Sequence, residues 1–85
     1  MKSFNYVITD EIGLHARPAG MLVKESAQYE SKIMITCEGR SAEARRLIAI
    51  MGLGVKQGQE VTVSAEGPDE DKAIADMEVF FKENL

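Results

Sequence analysis

Two kinds of periodicity follow each other along the 85-residue chain and limit the folds that it can adopt. In some stretches apolar and polar residues alternate at every second position, which is typical of strands with one buried face. In others, apolar residues recur three and four positions apart, which is typical of helices with one apolar side. Strands are predicted at residues 4–9, 32–37, 40–43 and 60–66, and helices at 15–27, at 45–51 and after Gly67-Pro68-Asp69. The order of elements is β-α-β-β-α-β-α.

This order predicts an α+β fold in which three helices cover one face of a four-stranded antiparallel sheet and the other face stays open to water. A chain of 85 residues suffices for one small domain, spanning positions 1–85. Its core will be thin, so the large apolar residues must be concentrated on inner faces. Residues predicted to face the core are Ala19, Leu22, Val23, either Ser26 or Ala27, Ile33, Ile35, Cys37, Leu47, Ile50, Val61, Val63, Ala65, Ala73, Ile74, Met77, Phe80 and Phe81.

The composition argues against several classes of function. The formal net charge of −4 is unlike that of a general nucleic-acid-binding protein, which would carry a basic surface. No apolar run approaches the roughly 18 residues that a membrane-spanning helix needs, and residues 1–5 are not typical of a signal peptide. The single cysteine, Cys37, cannot form an internal disulfide, and with one histidine it cannot complete a zinc site. We expect a cytoplasmic chain without metal or cofactor.

The only histidine, His15, lies where an extended stretch gives way to the first helical pattern. Pro18 suits a first helical turn, because its missing N–H leaves no bond unmade there, so the helix is predicted to begin at His15 or Ala16. His15 would then be the N-cap, beside the positive end of the helix dipole. The N–H groups of Ala16 and Arg17 could hold an anion, and the Arg17 guanidinium suits phosphate oxygens. Together these groups could support a histidine that carries phosphate transiently.

The same residues also allow a structural interpretation. A lone histidine at a helix start can cap the helix or point into water, and a neighbouring arginine is often only a solvated charge. Spacing alone does not decide between these roles for His15 and Arg17. No paired carboxylates, serine–histidine set or metal cluster offers an independent site for a hydrolase or metalloenzyme.

Three segments resemble the HPr family, the histidine-containing phosphocarriers of the bacterial phosphoenolpyruvate-dependent sugar phosphotransferase system. Gly-Leu-His-Ala-Arg-Pro-Ala at positions 13–19 is similar to the active-site motif of the family, and residues 44–54 are similar to its second signature. Residues 58–67 and the acidic start of the last helix extend the likeness over almost the whole chain. The resemblance implies the open-faced β-sandwich of that family, which agrees with the fold that the periodicity predicts.

The resemblance also implies a function. His15 would be the phosphoryl acceptor, through its Nδ1 atom, and Arg17 would stabilise the phosphate together with the backbone N–H groups of Ala16 and Arg17. The donor would be enzyme I, charged from phosphoenolpyruvate, and the acceptors would be sugar-specific transport components. The chain would be a stoichiometric carrier and not an enzyme. We expect it to be a monomer that binds no nucleic acid and is not embedded in a membrane.

A partner-binding surface is implied as well. We expect it to consist of Gly20, Met21, Lys24, Leu47, Ile48 and Met51. The resemblance favours partner contact for Ile48 and Met51, whereas Gly20, Met21 and Lys24 lie off the apolar stripe of their helix, nearer the side of Arg17. For Leu47 the helical pattern alone favours a core position instead, beside Ile50. Gly20 costs about 1 kcal/mol against alanine inside a helix. Either another surface approaches it closely or the glycine is simply tolerated.

One position departs from the family pattern. Many members carry a serine in the second signature that an ATP-dependent kinase modifies, and Arg46 occupies that column here. Arginine has no hydroxyl to attack a γ-phosphate, and Ser41 lies in the preceding edge strand. Two alternatives to the main carrier role therefore stay open: a specialised paralogue, and a regulatory protein-binding module. Family members of the second kind lack the active-site histidine, which this chain has.

Overall fold

The seven predicted elements are all present in the computed structural model, which describes residues 1–85. They are β1 (Lys2–Val7), α1 (Ala16–Ser26), β2 (Lys32–Cys37), β3 (Arg40–Glu43), α2 (Leu47–Gly52), β4 (Glu60–Glu66) and α3 (Glu70–Asn84). Strands β2, β3 and β4 have the predicted bounds. The largest shifts are two residues, in β1 and at the start of α2, which is usual for element ends.

The four strands form one antiparallel sheet in the order β1-β4-β2-β3. On the side of the helices, one row of paired residues across all four strands consists of Phe4, Val63, Ile35 and Ala42. In β2 and β4 every second residue is buried, as the alternation predicts. These observations confirm the α+β fold with an open antiparallel sheet.

The open face of the sheet is polar and internally hydrogen bonded. The next row of paired residues consists of Asn5, Thr62, Thr36 and Ser41. The Thr62 hydroxyl donates to the Asn5 side-chain oxygen at 2.8 Å, and the hydroxyl oxygens of Thr36 and Ser41 lie 2.8 Å apart. Because these side chains bond to one another, the face can remain in contact with water.

The core is one cluster of 21 buried residues between the sheet and the helices. Phe81 of α3 is fully buried, and its ring meets those of Phe4 and Tyr6 edge-on, with 5.8 Å between centroids in each pair. Such pairs add about 0.5–1.5 kcal/mol each beyond the burial of their area, so they hold α3 across β1. Cys37 is buried, as predicted, and burial raises the pKa of its thiol.

The core prediction is wrong for Leu47 and only partly met for Val23 and Ile74, which are half-buried. The Leu47 side chain is 39% exposed, whereas Ile50 is fully buried. Helix α2 has only six residues, and a single one of them, Ile50, is buried. Ala44, just before the helix, is itself fully buried and fills the interior there. Leu47 is left at the rim.

The start of α3 holds the loop between α1 and β2. Asp69, the N-cap of α3, accepts hydrogen bonds from the Ser31 hydroxyl at 2.5 Å, the Ser31 N–H at 2.9 Å and the Glu30 N–H at 3.0 Å. These bonds, above all that from the Ser31 hydroxyl, lower the pKa of the Asp69 carboxyl. The Glu70 carboxylate accepts the Gly67 N–H at 3.1 Å, which lowers its pKa too. Both carboxylates are therefore used inside the chain.

Candidate functional site

The loop that leads into α1 is fixed by backbone contacts. Gly13 has a φ of +81°, and a Cβ added there would overlap the Val55 carbonyl oxygen. That oxygen accepts the Leu14 N–H at 3.1 Å, and the Leu14 side chain is buried. The Ile12 N–H donates to Asp10 Oδ1 at 2.9 Å and closes a turn. Glycine is needed at position 13 because the two backbones approach so closely.

His15 is the N-cap of α1, as the sequence predicts. Its backbone is extended, with φ −94° and ψ −173°, and its carbonyl oxygen accepts the Ala19 N–H at 2.9 Å, the first bond of the helix. The imidazole makes no capping hydrogen bond and is half-exposed. The residue therefore caps α1 through its backbone alone, and its ring nitrogens stay available for chemistry.

Hydrogen-bond donors without partners surround His15. The N–H groups of Ala16 and Arg17 donate no bond within the chain, as is general for the first turn of a helix. The exposed Arg17 guanidinium makes no ion pair, and α1 has no acidic residue in its first turn. No acidic residue of α1 itself and no ion pair of Arg17 therefore neutralises the positive end of this helix, where an anion would be stabilised.

A pocket of about 260 Å³ lies beside these donors. The N-cap and first turns of α1 contribute His15, Arg17, Pro18 and Met21 to its lining. The structure thus brings the predicted residues His15 and Arg17 together around one pocket. The pocket is open to solvent, so the side chains that line it can be reached by another protein.

Three further lining residues were not found from the sequence. They are Asp10, from the loop before α1, and Glu83 and Asn84, from the end of α3. The Leu85 carbonyl oxygen fixes these segments to each other, because it accepts the Thr9 N–H at 2.6 Å and the Asp10 N–H at 2.9 Å. No local pattern could have indicated this contact, which only the folded topology creates.

The residues of the implied partner surface lie on two helices that pack against each other, α1 and α2. Ile48 is 81% exposed, and Met21, Leu47 and Met51 are each about 40% exposed. Lys24 is exposed and makes no ion pair. Gly20 is half-buried with open space where a side chain would be, so no contact within the chain requires glycine there. Binding of partners to this surface stays a prediction.

Two neighbouring arginines have different surroundings. The Arg45 guanidinium donates to the Tyr29 carbonyl oxygen, which joins the segment before α2 to the end of α1. Arg46 is the N-cap of α2, is exposed, and makes neither a capping hydrogen bond nor an ion pair. Arg46 is therefore a free charge beside the exposed apolar residues of α2, whereas Arg45 also supports the fold.

The carboxyl groups with shifted pKa values lie on α3 and have structural partners. The Tyr29 hydroxyl lies 2.5 Å from Asp76 Oδ2 and 3.0 Å from Glu25 Oε2. This contact and the ion pair with Lys72 lower the pKa of Asp76, while burial and the two carboxylates raise the pKa of Tyr29.

No group of three His, Cys, Asp or Glu side chains is arranged to hold a metal ion. None of the helices is long and apolar enough to cross a bilayer.

Comparisons with known proteins agree on one family. A family model described as "PTS HPr component phosphorylation site" matches residues 2–83. Phosphocarrier protein HPr of Mycoplasma capricolum subsp. capricolum is 39% identical over 74 residues, which cover 87% of this chain and 83% of that protein. A solved Mycoplasma histidine-containing phosphocarrier protein superimposes with a TM-score of 0.93 at 34% identity, covering 96% of this chain and 93% of the other. The crystal structure of HPr-C-His from Thermoanaerobacter tengcongensis gives a TM-score of 0.83 at 39% identity, with both chains fully covered.

These matches extend over nearly the whole chain, in sequence and in three dimensions. They include the segment around His15, whose ring makes no capping hydrogen bond and which precedes the unpartnered N–H groups of Ala16 and Arg17. The chain therefore belongs to the HPr family of phosphocarriers of the phosphotransferase system.

Proposed function

We propose that the His15 imidazole accepts a phosphoryl group from phosphorylated enzyme I and passes it to sugar-specific components of the phosphotransferase system. The observation that carries this proposal is the surroundings of His15. Its ring is half-exposed and makes no hydrogen bond at the N-cap, next to two unpartnered backbone N–H groups and the unpaired Arg17. A purely structural capping histidine would instead use its ring to bond the helix.

The geometry supports a simple transfer step. A nitrogen of the neutral imidazole, by family resemblance Nδ1, attacks phosphorus while the bond from phosphorus to the donor breaks. The proton on the other ring nitrogen can leave to water. The N–H groups of Ala16 and Arg17 and the Arg17 guanidinium stabilise the charge on the phosphoryl oxygens. Transfer to an acceptor reverses these events, so the chain ends unchanged, and it carries one phosphoryl group at a time.

The partners are proposed from charge and exposure. Arg17, Lys24 and Arg46 are exposed cations without ion pairs, although the chain as a whole carries −4. Beside them lie the exposed side chains of Met21, Ile48 and Met51, and methionine adapts to differently shaped partners. Such a surface suits acidic partners with apolar patches. We propose that enzyme I and the sugar-specific components are partners of this kind. The chain acts as a monomer in the cytoplasm and needs no cofactor.

Arg46 supports a more specialised version of the same role. Because it has no hydroxyl, a kinase cannot modify this column, and its positive charge is permanent. Docking of acidic partners would then be independent of ATP. A regulatory module that binds partners without carrying phosphate is the second candidate, and the presence of His15 disfavours it.

The test is phosphorylation by phosphoenolpyruvate and enzyme I, followed by intact mass and by the stability of the product. We expect one phosphate, labile in acid and stable in base, on the wild type and none on His15→Ala. The variant should fold, because the ring makes no capping bond and its loss costs less than about 1 kcal/mol. Phosphate on the folded variant, or none on the wild type, would refute the carrier function.

A further inference from the structure

The pocket beside His15 carries charges of both signs. Arg17 and the start of α1 contribute the positive side, and Asp10 and Glu83 add two carboxylates to the same lining. Asp10 and Glu83, which we call the acidic lining, form no ion pair with Arg17 or with any other cation. An anion-binding site built only for tight binding would not include carboxylates that no cation neutralises.

The fold fixes the Asp10 side chain and the backbone that carries Glu83. Asp10 Oδ1 accepts the Ile12 N–H at 2.9 Å, so that side chain is fixed in its turn. Glu83 lies on the last turn of α3, and the Leu85 carbonyl oxygen anchors that turn by accepting from the N–H groups of both Thr9 and Asp10 and from the Thr9 hydroxyl at 3.0 Å. The end of α3 also points the negative pole of its dipole toward this contact.

We infer that the carboxylates of Asp10 and Glu83 raise the free energy of the phosphorylated state of His15. This inference rests on the proposed carrier function and adds a property of the same site. A phosphoryl group on His15 carries up to two negative charges beside a pocket that Asp10 and Glu83 also line. Charges that lie closer together than the Debye length, about 10 Å at 0.1 M salt, are only partly screened. The two carboxylates repel it, while Arg17 and the α1 N–H groups attract it. The balance leaves the group weakly held and therefore easy to pass on.

A small-molecule donor can test this balance without any protein partner. Phosphoramidate phosphorylates imidazole: its nitrogen–phosphorus bond breaks, an imidazole nitrogen–phosphorus bond forms, and ammonia leaves with the imidazole proton. The equilibrium constant can be measured from both directions, by loading with phosphoramidate and by unloading phosphorylated chain with ammonia. The measurement compares wild type with Asp10→Asn, with Glu83→Gln and with the double variant. Asparagine retains the oxygen that accepts the Ile12 N–H, and Glu83 makes no hydrogen bond that its replacement could break.

We expect the equilibrium constant for loading to rise on the order of threefold in each single variant and further in the double variant. The rise should shrink at high salt, because exposed charges are screened. The matched control is Glu66→Gln, which removes the same charge. Glu66 is the last residue of β4, and it is Glu60, at the other end of that strand, that pairs with Val7. This control should leave the equilibrium unchanged.

Two results would overturn the inference: an unchanged equilibrium constant, or an equal effect in Glu66→Gln. If the equilibrium constant were unchanged but were reached faster, the carboxylates would only repel the incoming anionic donor. Failure of the proposed function looks different. In that case wild-type His15 would take no phosphoryl group from phosphoenolpyruvate and enzyme I, whatever phosphoramidate does.

Discussion

The starts of α1 and α3 are opposite solutions to the same problem. Every helix begins with N–H groups that have no partner and with a positive dipole end. At α3, the chain supplies its own anions: Glu70 and Asp71 occupy the first turn, and the N-cap carboxylate of Asp69, which makes no capping bond, is held by the loop between α1 and β2. At α1 the first turn has no acidic residue, and the N-cap ring and Arg17 are free. The start of α3 stabilises the fold, and the start of α1 is left free for an anion that arrives from outside.

The comparison can be broken by giving α1 the acidic start of α3. Ala16→Asp places a carboxylate in the exposed first turn of α1, where it would bond the free N–H groups and repel a phosphoryl group. We expect phosphorylation of His15 to slow about tenfold or more. Stability should rise slightly, by about 0.3–1 kcal/mol, because the dipole favours the new charge. Phosphorylation kinetics and urea denaturation measure the two effects.

Ala75→Asp is the matched control for this prediction, since it adds the same charge at an exposed position of α3. It should leave the phosphorylation rate of His15 near that of the wild type. If Ala16→Asp were phosphorylated as fast as this control, the free start of α1 would have no part in the reaction.

Arg17→Lys sharpens the role of the guanidinium, because it keeps the charge and removes the fork of parallel donors that grips two phosphate oxygens. We expect the rate of transfer through His15 to fall several-fold, with stability unchanged, since Arg17 has no partner within the chain. Stopped transfer reactions followed by mass spectrometry give the rate. Lys32→Arg, a charge-preserving change at an exposed position of β2 that makes no ion pair, is the control. Equal rates for Arg17→Lys and wild type would reduce Arg17 to a solvated charge.

Asp69→Asn tests the other side of the comparison. The hydrogen bonds to Asp69 keep its pKa below the usual value near 3.9. A carboxyl whose pKa is lower in the folded state stabilises the fold above the unfolded pKa and loses this effect as pH falls through the folded pKa. We therefore expect the variant to melt at lower temperature at pH 7, and to differ less from wild type as the pH falls below the usual pKa of an aspartate. Phosphorylation of His15 should not change.

Asp71→Asn is the control for Asp69→Asn, because Asp71 lies in the same first turn but is exposed and has only an ion pair with Lys2 at 3.6 Å. It should have a much smaller effect on the melting temperature. Thermal melts at several pH values provide the comparison. A pH dependence that is identical in Asp69→Asn and wild type would contradict the proposed role of the Asp69 carboxylate.

The start of α2 offers the smallest effect. Arg46 makes no capping hydrogen bond, and serine at an N-cap can make one, so Arg46→Ser should raise stability by at most about 1 kcal/mol. The same change supplies a hydroxyl in the column that a family kinase modifies. With that kinase and ATP, we expect a single phosphate on the variant and no mass gain on the wild type. Phosphate on wild-type Ser41 would place the regulatory site in β3 instead.

Most of the fold could be predicted from the sequence, because the alternation of apolar and polar residues in a strand indicates which of its faces is buried. In β2 and β4 the alternation of residues such as Ile33, Ile35, Val61 and Val63 allows only one face to be buried, and the structure agrees. The six-residue α2 is too short for its pattern to define an inward face, which is why Leu47 was placed in the core by mistake. Apolar periodicity is informative only over several turns.

The candidate site was predictable where its parts are close in sequence. His15, Ala16, Arg17 and Pro18 fall within one helical turn, so residue type and helix geometry together indicated an anion-binding start. Glu83 could not be found in this way. It reaches the pocket only because α3 crosses the sheet and its end bonds the loop before α1, and no local pattern encodes such a contact.

This long-range closure also sets the order of events during synthesis. Strand β1 pairs with β4 alone, so the N-terminal strand has no sheet neighbour until residues 60–66 have left the ribosome. The pocket beside His15 then still lacks Glu83 and the anchoring contact of Leu85. The histidine motif is among the first segments to emerge, yet its pocket is completed only after the chain has been translated to the end of α3. A nascent chain that has not yet reached the end of α3 therefore cannot display the finished site.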